Sequence, residues 1–459
     1  MNLELILKEL DESKTLAESR LFELLRFESI STNPKYKSDC FKTAEWLVKH
    51  LEEIGFSSSL RKTDGNPMVV AHSDGKGSDL LFYGHYDVQP VDPENLWKTK
   101  PFEPVIQDTI DGPVIRARGA ADDKGQLMTF LEACRAIKTI DGEFPCKITI
   151  LFEGEEETSS PSLIPFLQQN VHELKTKYAL VCDTGMWDSK TPSITSSLRG
   201  MLSEEITITG PKKDLHSGIF GGAVPNPLRI MSNLISNLHT KEGRVNIPNF
   251  YEGVEDTPSA LLEQWENLGS TEEIFLKKLG LSQSVGENGC SYLEKLWSRP
   301  TCEINGLWGG YIDEGFKTVI PSKAHAKISF RLVGQQDPEN IRIEFREKLR
   351  KELPPDFEIS FSNHKGSKAT QFNCNSKIMA EAKNALTDEW GREAVFVGGG
   401  GSIPIVKHFK EILDMDTLLV GFSLDNDQIH SPNEKYNLTS YHKGARSWVR
   451  ILNNLSKSL

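Results

Sequence analysis

The stretch KITILFEGEEETSS, residues Lys147–Ser160, is an apolar, β-branched run that ends in a cluster of acids. The run predicts a buried strand. An acidic cluster at the end of such a strand is more typical of an active site than of a solvated turn. Neighbouring residues of extended backbone point to opposite faces, so of Glu156 and Glu157 one can ligate a metal while the other accepts a proton. The alternative is a solvated acidic turn formed with Glu153 and Glu155.

Other candidate ligands follow further predicted strands or lie in short polar loops. They are His85 in LLFYGHYDVQP, Asp122 in GAADDKG, Asp183 in YALVCDTGMW and His430 in DNDQIHSPNEK. Two histidines, two aspartates and a glutamate, with a spare glutamate as general base, suit a pair of divalent metals. Three carboxylates and a hydroxide would balance the charge of two such ions. The set therefore predicts a metal-dependent hydrolase.

Several of these positions also have a purely structural interpretation. Asp87 lies on the same side of extended backbone as His85, where it can accept the second ring N–H of that histidine or form a surface pair with it. Asp122 can bridge two metals or help cap the following helix. We expect Asp123 to be the N-cap of that helix. Asp183 can instead form a turn.

The order of strands and helices predicts an α/β protein with an insertion. Helices with apolar stripes that include Leu16 and Phe41 open the chain, and short buried strands then alternate with helices. The pattern changes near Leu198 and returns near Ala369. We expect a catalytic domain with a mixed, largely parallel sheet flanked by helices, interrupted by an inserted α+β domain. The predicted boundaries are 1–197, 198–368 and 369–459, and 243–305 has no assigned elements.

Composition narrows the class of protein. A chain of 459 residues predicts two domains. The net charge of −12 argues against a nucleic-acid partner. Seven scattered cysteines, the lack of a signal-like N-terminus and the lack of a run of about 20 apolar residues predict a cytoplasmic protein without a membrane partner. Histidines in helix-like polar stretches, such as His50, are expected on the surface.

Together these motifs resemble the dizinc amidohydrolase family of carnosinase-type dipeptidases, glutamate carboxypeptidases, aminoacylases and succinyl-diaminopimelate desuccinylases. YGHYDVQP, PFEP, RGAADDKG, FEGEEE, DLHSG and HSPNEK occur in the family's order across nearly the whole chain. DLHSGIFGG, TVIPSKAHAKISFRLV and GGSIP are most similar to the dipeptidase branch. The four glycines before Ser402 depart from relatives that often have an acidic or arginine residue near this loop.

The resemblance implies two divalent ions per chain, zinc first, with manganese or cobalt as alternatives. One ion would bind His85 and Asp183, the other Glu157 and His430, and Asp122 would bridge them. Glu156 would be the general base and Asp87 the partner of His85. A cis peptide is implied after Asp122, which costs about 3–4 kcal/mol and persists only where the site enforces it.

The inserted domain would be a lid and a homodimerisation domain. The residues implied in substrate binding are His216, Thr318, Arg331, Ser402 and His430. His216 would reach the partner subunit's site and stabilise the oxyanion, and Arg331 would bind the terminal carboxylate. From the residues alone, Arg331 could equally form a structural salt bridge.

The expected function is hydrolysis of dipeptides or short peptides with a free C-terminal carboxylate, by a water between the metals that a Glu base activates. The first alternative is a deacylase of N-acyl amino acids or succinyl-diaminopimelate on the same fold. A non-catalytic binding protein and a single-metal site are the others. A small peptide is the expected substrate.

Overall fold

The computed structural model describes residues 1–76, 79–401 and 403–458. The chain divides into two units, each held together by its own contacts. What we call the discontinuous unit comprises Met1–Ser196, Phe372–Val397 and Pro404–Leu459. What we call the inserted unit comprises Ser197–Gln371 and Gly398–Ile403.

Helices and strands are numbered separately in chain order. The helices are α1 (Leu3–Glu12), α2 (Lys14–Leu25), α3 (Lys37–Ile54), α4 (Lys124–Asp141), α5 (Leu163–Gln169), α6 (Val171–Leu174), α7 (Ser217–Phe220), α8 (Pro227–Ser236), α9 (Ser259–Glu266), α10 (Glu272–Lys278), α11 (Tyr292–Trp297), α12 (Pro338–Glu352), α13 (Lys377–Trp390), α14 (Pro404–Leu413) and α15 (Leu438–Ser458). The strands are β1 (Ser57–Arg61), β2 (Met68–His72), β3 (Asp79–His85), β4 (Val105–Thr109), β5 (Gly112–Arg116), β6 (Lys147–Glu153), β7 (Tyr178–Val181), β8 (Ser193–Leu198), β9 (Gly200–Thr209), β10 (Leu215–His216), β11 (Thr301–Gly309), β12 (Val319–Ile320), β13 (Lys323–Leu332), β14 (Glu358–Asn363), β15 (Thr370–Gln371), β16 (Val395–Gly399), β17 (Asp416–Leu419) and β18 (Lys435–Asn437). Within the part of the chain that the structure describes, no helix combines the length and apolar character needed to cross a lipid bilayer.

A mixed sheet forms the centre of the discontinuous unit. Its strands lie in the order β1-β2-β6-β3-β7-β17-β8, and β16 also pairs with β8. The four central strands run parallel, whereas β1, β2 and β8 pair antiparallel. Strands β3 and β6 are buried almost throughout, as expected for parallel strands covered on both faces. The predicted mixed α/β sheet is confirmed, with its parallel pairing at the centre.

The carboxyl ends of the parallel strands meet at one edge of this sheet. Strand β3 ends at His85, which is in register with Glu153 at the end of β6. Strand β7 ends at Val181, in register with Leu419 at the end of β17. Ligands of open α/β sheets bind outside the carboxyl ends of the strands. His85 at the end of β3 and the loops that leave the other three strands supply four of the five candidate metal ligands.

Helix α4 fixes the loop that supplies the remaining candidate ligand. The ring of Phe130 in α4 stacks on Phe82 of β3, with ring centroids 3.8 Å apart. Trp448 of α15 packs edge-on against Phe82 at 5.6 Å, and its indole N–H donates to the hydroxyl of Thr129 at 3.1 Å. Because α4 is held between the sheet and α15, the preceding loop, residues 117–123, has a fixed position.

The N-terminal helices differ in part from the prediction. Helices α2 and α3 cover the two predicted helical segments, and α1 precedes them without having been predicted. Leu16 and Phe41, which the apolar stripes place in the core, are exposed. His50, expected on the surface, is buried and stacks on Trp46 at 4.2 Å. Burial, with Arg135 nearby, lowers the pKa of His50 to about 3. The prediction that His50 lies on the surface is wrong, because its ring lies on the buried face of an amphipathic helix.

The inserted unit has an α+β architecture, as predicted. Its antiparallel sheet has the strand order β11-β13-β9-β14. One face packs into a core that includes Ile206, Met231, Phe330 and Phe345, whereas alternate residues of β9 and β13 are only partly buried. Residues 243–305, for which the sequence predicts no elements, contain α9, α10, α11 and the first residues of β11.

Candidate metal centre

His85 closes strand β3 and is fully buried. Its Nδ1 lies 3.1 Å from the carbonyl oxygen of Asp87 and 3.4 Å from a carboxylate oxygen of that residue. Its Nε2 lies 3.1 Å from Oδ1 of Asp122. A Cβ at Gly84 would lie 3.0 Å from the carboxylate of Asp123, so glycine allows this carboxylate to approach and accept the His85 backbone N–H at 3.2 Å. The Asp122–Asp123 peptide bond is cis, as the resemblance implies.

Asp122 belongs to two sets of donor atoms. His85, Asp122 and Asp183 form one set, and Asp122, Glu157 and His430 form the other, with the atoms of each set within 4.8 Å of one another. Oδ1 of Asp122 faces His85, whereas its Oδ2 lies 2.9 Å from Nε2 of His430. That nitrogen also lies 3.2 Å from Oε2 of Glu157. The structure thus brings together the five candidate ligands, in two sets that share one carboxylate.

Asp87 holds the acidic turn that follows strand β6. One of its oxygens accepts the backbone N–H of Glu156 at 3.2 Å. The other accepts the backbone N–H of Glu157 at 3.1 Å and the hydroxyl of Ser31 at 2.6 Å. Because Asp87 also faces the ring of His85, one buried carboxylate orients the histidine and the turn relative to each other.

His430 lies in a strained loop between β17 and β18. Gln428, His430 and Asn433 have φ angles of 57°, 59° and 67°, in the left-handed region that residues other than glycine rarely adopt. The side chain of Asn433 accepts the N–H of Lys98 at 2.7 Å and donates to the carbonyl oxygen of Leu96 at 2.8 Å. These bonds hold the loop so that His430, with 54% of its side chain exposed, lies at the open side of the centre.

The carboxylates of the centre repel one another. Burial raises the pKa of Asp183 well above its usual value, and although His85 opposes this, Asp122, Glu156 and Glu157 raise it further. Burial also raises the pKa of Glu156, again opposed by His85 and reinforced by Glu157 and Asp122. The carboxylates of the centre therefore carry more negative charge than the nearby positive groups offset.

The two histidines show where positive charge is favoured. Hydrogen bonds to Asp122 and then to Glu157 raise the pKa of His430 to about 10. Burial alone would lower the pKa of His85, but Asp122 and Asp87 raise it well above its usual value. Burial alone would raise the pKa of Asp122, but the hydrogen bonds of both histidines lower it. Each donor set therefore attracts a cation, either a proton on the imidazole ring or a metal ion beside it.

The residues fit two divalent cations. Carboxylates and imidazoles are ligands that zinc and similar ions prefer. In the described ranges, the ion pairs to Asp122 and Glu157 come from histidines alone. Among the same residues, Oε1 of Glu157 is buried without a hydrogen-bond partner, and a buried polar atom normally has one. A metal ion in each set would supply positive charge near the carboxylates. The ion in the set with Glu157 would also be a partner for Oε1 of that residue.

Two of the residues implied in substrate binding lie close together in the inserted unit. His216 ends strand β10, where it pairs with Val319. Its Nδ1 accepts the backbone N–H of Gly218 at 3.1 Å. The carbonyl oxygen of Thr318 accepts the N–H of Ser217 at 3.0 Å. Both His216 and Thr318 are exposed, so their side chains are open to a ligand.

Arg331 lies on strand β13, in register with Met201 and Thr301 on the two neighbouring strands. It is partly exposed. Burial, and then the charge of Arg331, lower the pKa of Arg199 to about 10. No role for Arg199 is predicted from the sequence. The remaining candidate, Ser402, lies outside the described residues.

Three supporting residues have structural roles that the sequence does not predict. Gln89 donates to Oε2 of Glu157 at 2.6 Å, and Glu434 is fully buried beside the Asp122 loop. Asp123 stands at the N-cap of α4, but its side chain makes no capping bond. The predicted N-cap position is confirmed, but the carboxylate does not cap the helix, because it accepts the buried backbone N–H of His85. In the sequence, only their positions indicate that Gln89 and Glu434 belong to the site, because they lie within the motifs YGHYDVQP and HSPNEK.

The α/β sheet, with two sets of histidine and carboxylate donors at its strand ends, defines a candidate dinuclear metal centre. The chain belongs to peptidase family M20/M25/M40, whose profile matches residues 81–454. This confirms the resemblance noted in the sequence.

Individual relatives cover nearly the full chain. The sequence is 28% identical to the Cys-Gly metallodipeptidase dug1 of Schizosaccharomyces pombe, over 99% of each chain. It is 25% identical to the Beta-Ala-His dipeptidase of Rattus norvegicus, over 94% of this chain and 90% of that one. The structure is similar to that of the M20 family metallo-carboxypeptidase Sso-CP2 from Sulfolobus solfataricus, with a TM-score of 0.80 and 30% identity over 96% of this chain and 99% of that chain. The match to the dipeptidase branch is thereby confirmed.

Proposed function

We propose that this protein hydrolyses the peptide bond of dipeptides or short peptides that end in a free carboxylate. The observation that carries the proposal is the pair of donor sets that share Asp122, next to the acidic turn of Glu156 and Glu157. The relatives support it, since two are dipeptidases and one is a carboxypeptidase, and the substrates of both classes end in a free carboxylate.

Zinc is the metal we propose, with manganese and cobalt as alternatives, because mixed nitrogen and oxygen ligands suit all three. His85 and Asp183 would hold one ion, Glu157 and His430 the other, and Asp122 both. When bound, such ions polarise a carbonyl group and lower the pKa of water.

Glu156 is the proposed general base. It takes a proton from the attacking water and passes it to the leaving amine. Burial and the neighbouring carboxylates raise its pKa, which makes it a better proton acceptor near neutral pH than an exposed glutamate. Glu157 is proposed as a ligand instead, because it lies in a donor set with Asp122 and His430. Asp87 keeps the two glutamates in these separate roles through their backbone N–H groups.

His216 is the proposed oxyanion donor. Because its Nδ1 accepts the N–H of Gly218, the neutral ring carries its proton on Nε2. That N–H is therefore available to donate to the developing negative charge on the substrate oxygen. Thr318 is proposed to bind the substrate, and Ser402 is proposed to contact the substrate backbone.

Arg331→Met should raise KM for dipeptides with a free carboxylate by about 10–100-fold, since a hydrogen bond to a charged group contributes about 1.5–3 kcal/mol. Because the charge of Arg331 is among the causes that lower the pKa of Arg199, a bound carboxylate would relieve repulsion between these two arginines. Steady-state kinetics on a dipeptide and its C-terminal amide would measure the effect.

Lys327→Met is the matched control, because Lys327 lies on the same strand and the same face as Arg331. It should leave KM close to the wild-type value. The role of Arg331 is contradicted if Arg331→Met raises KM for the C-terminal amide and for the free acid by the same factor.

A metal-replete activity screen tests the proposed function directly. Cys-Gly, β-Ala-His and Ala-Ala dipeptides would be compared with N-acyl amino acids and succinyl-diaminopimelate. Turnover of dipeptides that stops on chelation supports the proposal. Turnover of acyl substrates alone would establish the deacylase alternative, and no turnover of any substrate would favour a binding protein.

We also propose that residues 198–368 form a lid and homodimerisation domain. In the described part of the chain, β11 is an outer strand of its sheet, and its residues Ile304 and Leu307 are exposed. An apolar outer strand of this kind can pair with a second copy. Leu307→Lys should therefore shift the mass measured by light scattering from dimer to monomer. A wild-type monomer at micromolar concentration would contradict the proposal.

A further inference from the structure

Glu434 is a fully buried carboxylate in the loop that carries His430. Each of its two oxygens accepts two hydrogen bonds. The donors are the guanidinium of Arg118 at 2.7 Å and the backbone N–H groups of Gly119 at 3.0 Å, Ala121 at 2.9 Å and Asp122 at 3.1 Å. One side chain thus binds the backbone of the shared candidate ligand and three groups immediately before it.

Arg118 extends this connection to a third loop. Its guanidinium is buried, donates to the carbonyl oxygen of Pro90 at 2.8 Å and lies over the ring of Trp97 at 5.4 Å. Pro90 belongs to the segment that begins at His85. The Glu434–Arg118 pair therefore joins the loops that carry three of the five candidate ligands.

The two candidate ligands on the loops joined to Asp122 differ in their other support. His85 has its own acceptors, since its ring faces Asp87 and its backbone N–H donates to Asp123. His430 lies in a strained, half-exposed loop. Loss of Glu434 would free this loop to relax, while His85 would keep its position.

We propose that Glu434 is a positioning residue that holds Asp122 and His430 in register and so sets the metal affinity of the set formed by Asp122, Glu157 and His430. The inference rests on the proposed dinuclear centre. Outer partners of metal ligands typically contribute about 10–100-fold to metal affinity. Because four donors converge on Glu434, we expect an effect in this range on the ion of this set and a smaller effect on the other ion, which shares Asp122.

Glu434→Gln tests the proposal with little change in volume. A glutamine has one carbonyl oxygen as acceptor, and its amide N–H groups would face backbone N–H donors. Zn²⁺ would be titrated into metal-free protein in competition with a chromophoric chelator. The wild type should show two binding constants. In the variant, the constant of the set with His430 should weaken by about 10–100-fold. The constant of the set with His85 and Asp183 should weaken less, because that set shares only Asp122 with the disturbed loop.

Glu389→Gln is the matched control. Glu389 is also a buried carboxylate, and it accepts hydrogen bonds from Arg446 at 2.7 Å and Arg450 at 2.9 Å. Its loss should lower the melting temperature of the metal-free protein and leave both zinc constants unchanged. If Glu434 had only a structural role, its variant would show the same pattern as this control.

The outcomes separate the two proposals. A wild type that binds fewer than two zinc ions overturns the dinuclear centre. A wild type that binds two, together with unchanged constants in folded Glu434→Gln, overturns the role of Glu434 alone. If Glu434→Gln does not fold, Glu434→Asp takes its place, because the shorter side chain keeps the charge but cannot reach all four donors. Unchanged zinc constants in folded Glu434→Asp would equally overturn the role.

Discussion

Glu156→Gln should lower kcat by about 10²–10⁴-fold, the range that a positioned general base contributes. The substitution removes proton acceptance and preserves the size of the side chain. It should leave both metal ions bound, because Glu156 belongs to neither donor set, and its backbone bond to Asp87 does not involve the side chain. Steady-state kinetics on a dipeptide, with metal content measured on the same sample, would test this.

The controls for Glu156 separate chemistry from metal binding. Glu156→Asp keeps the carboxylate but withdraws it from its position, so we expect activity between that of the wild type and that of Glu156→Gln. Glu157→Gln should instead lower metal content, because Glu157 lies in a donor set with Asp122 and His430. Near-normal turnover in Glu156→Gln would remove the general-base assignment, and loss of one metal ion would reassign Glu156 as a ligand.

Asp122→Asn should prevent two ions from binding at the same time and should reduce activity by more than about 100-fold. That factor is the upper end of the range for loss of an outer partner of a metal site, and Asp122 is a direct candidate ligand. Asp122 contributes one oxygen to each donor set, so its loss affects both ions. The amide that replaces one oxygen is a poor metal ligand and adds no negative charge. The wild type should melt at a higher temperature with zinc than without it, and the variant should lose most of this difference.

Asp123→Asn provides a neighbouring control of the same shape. Asp123 accepts the backbone N–H of His85, a role that the amide oxygen of asparagine can keep. We therefore expect two bound ions in this variant. Two ions bound with wild-type affinity in Asp122→Asn would contradict the shared-ligand geometry.

Much of the candidate centre can be predicted from sequence because parallel strands gather their carboxyl ends at one edge. His85, Glu157 and Asp183 each follow an apolar run in the sequence, and the order of strands brings these runs together. The motif resemblance adds Asp122 and His430, which the strand pattern alone leaves ambiguous. The α/β class and the inserted α+β unit follow from the change in hydrophobic periodicity.

The other features of the site and fold depend on contacts between residues far apart in the chain, which local sequence patterns do not show. The sequence indicates only a polar loop residue at Glu434, whereas in the fold Arg118 and three backbone N–H groups surround it. It indicates a helix cap at Asp123, whereas the N–H of His85 competes for that carboxylate. It indicates a surface residue at His50, because helical periodicity does not show which partly polar face is covered. Such assignments need the packing of elements that are far apart in the chain.

The position of β17 has a consequence for how this protein is made. That strand fills the gap between β7 and β8 in the sheet, although the whole inserted unit separates it from them in the sequence. A ribosome therefore releases four candidate ligands well before it releases His430. The proposed metal centre therefore cannot be complete until the segment that carries β17 and His430 has emerged from the exit tunnel.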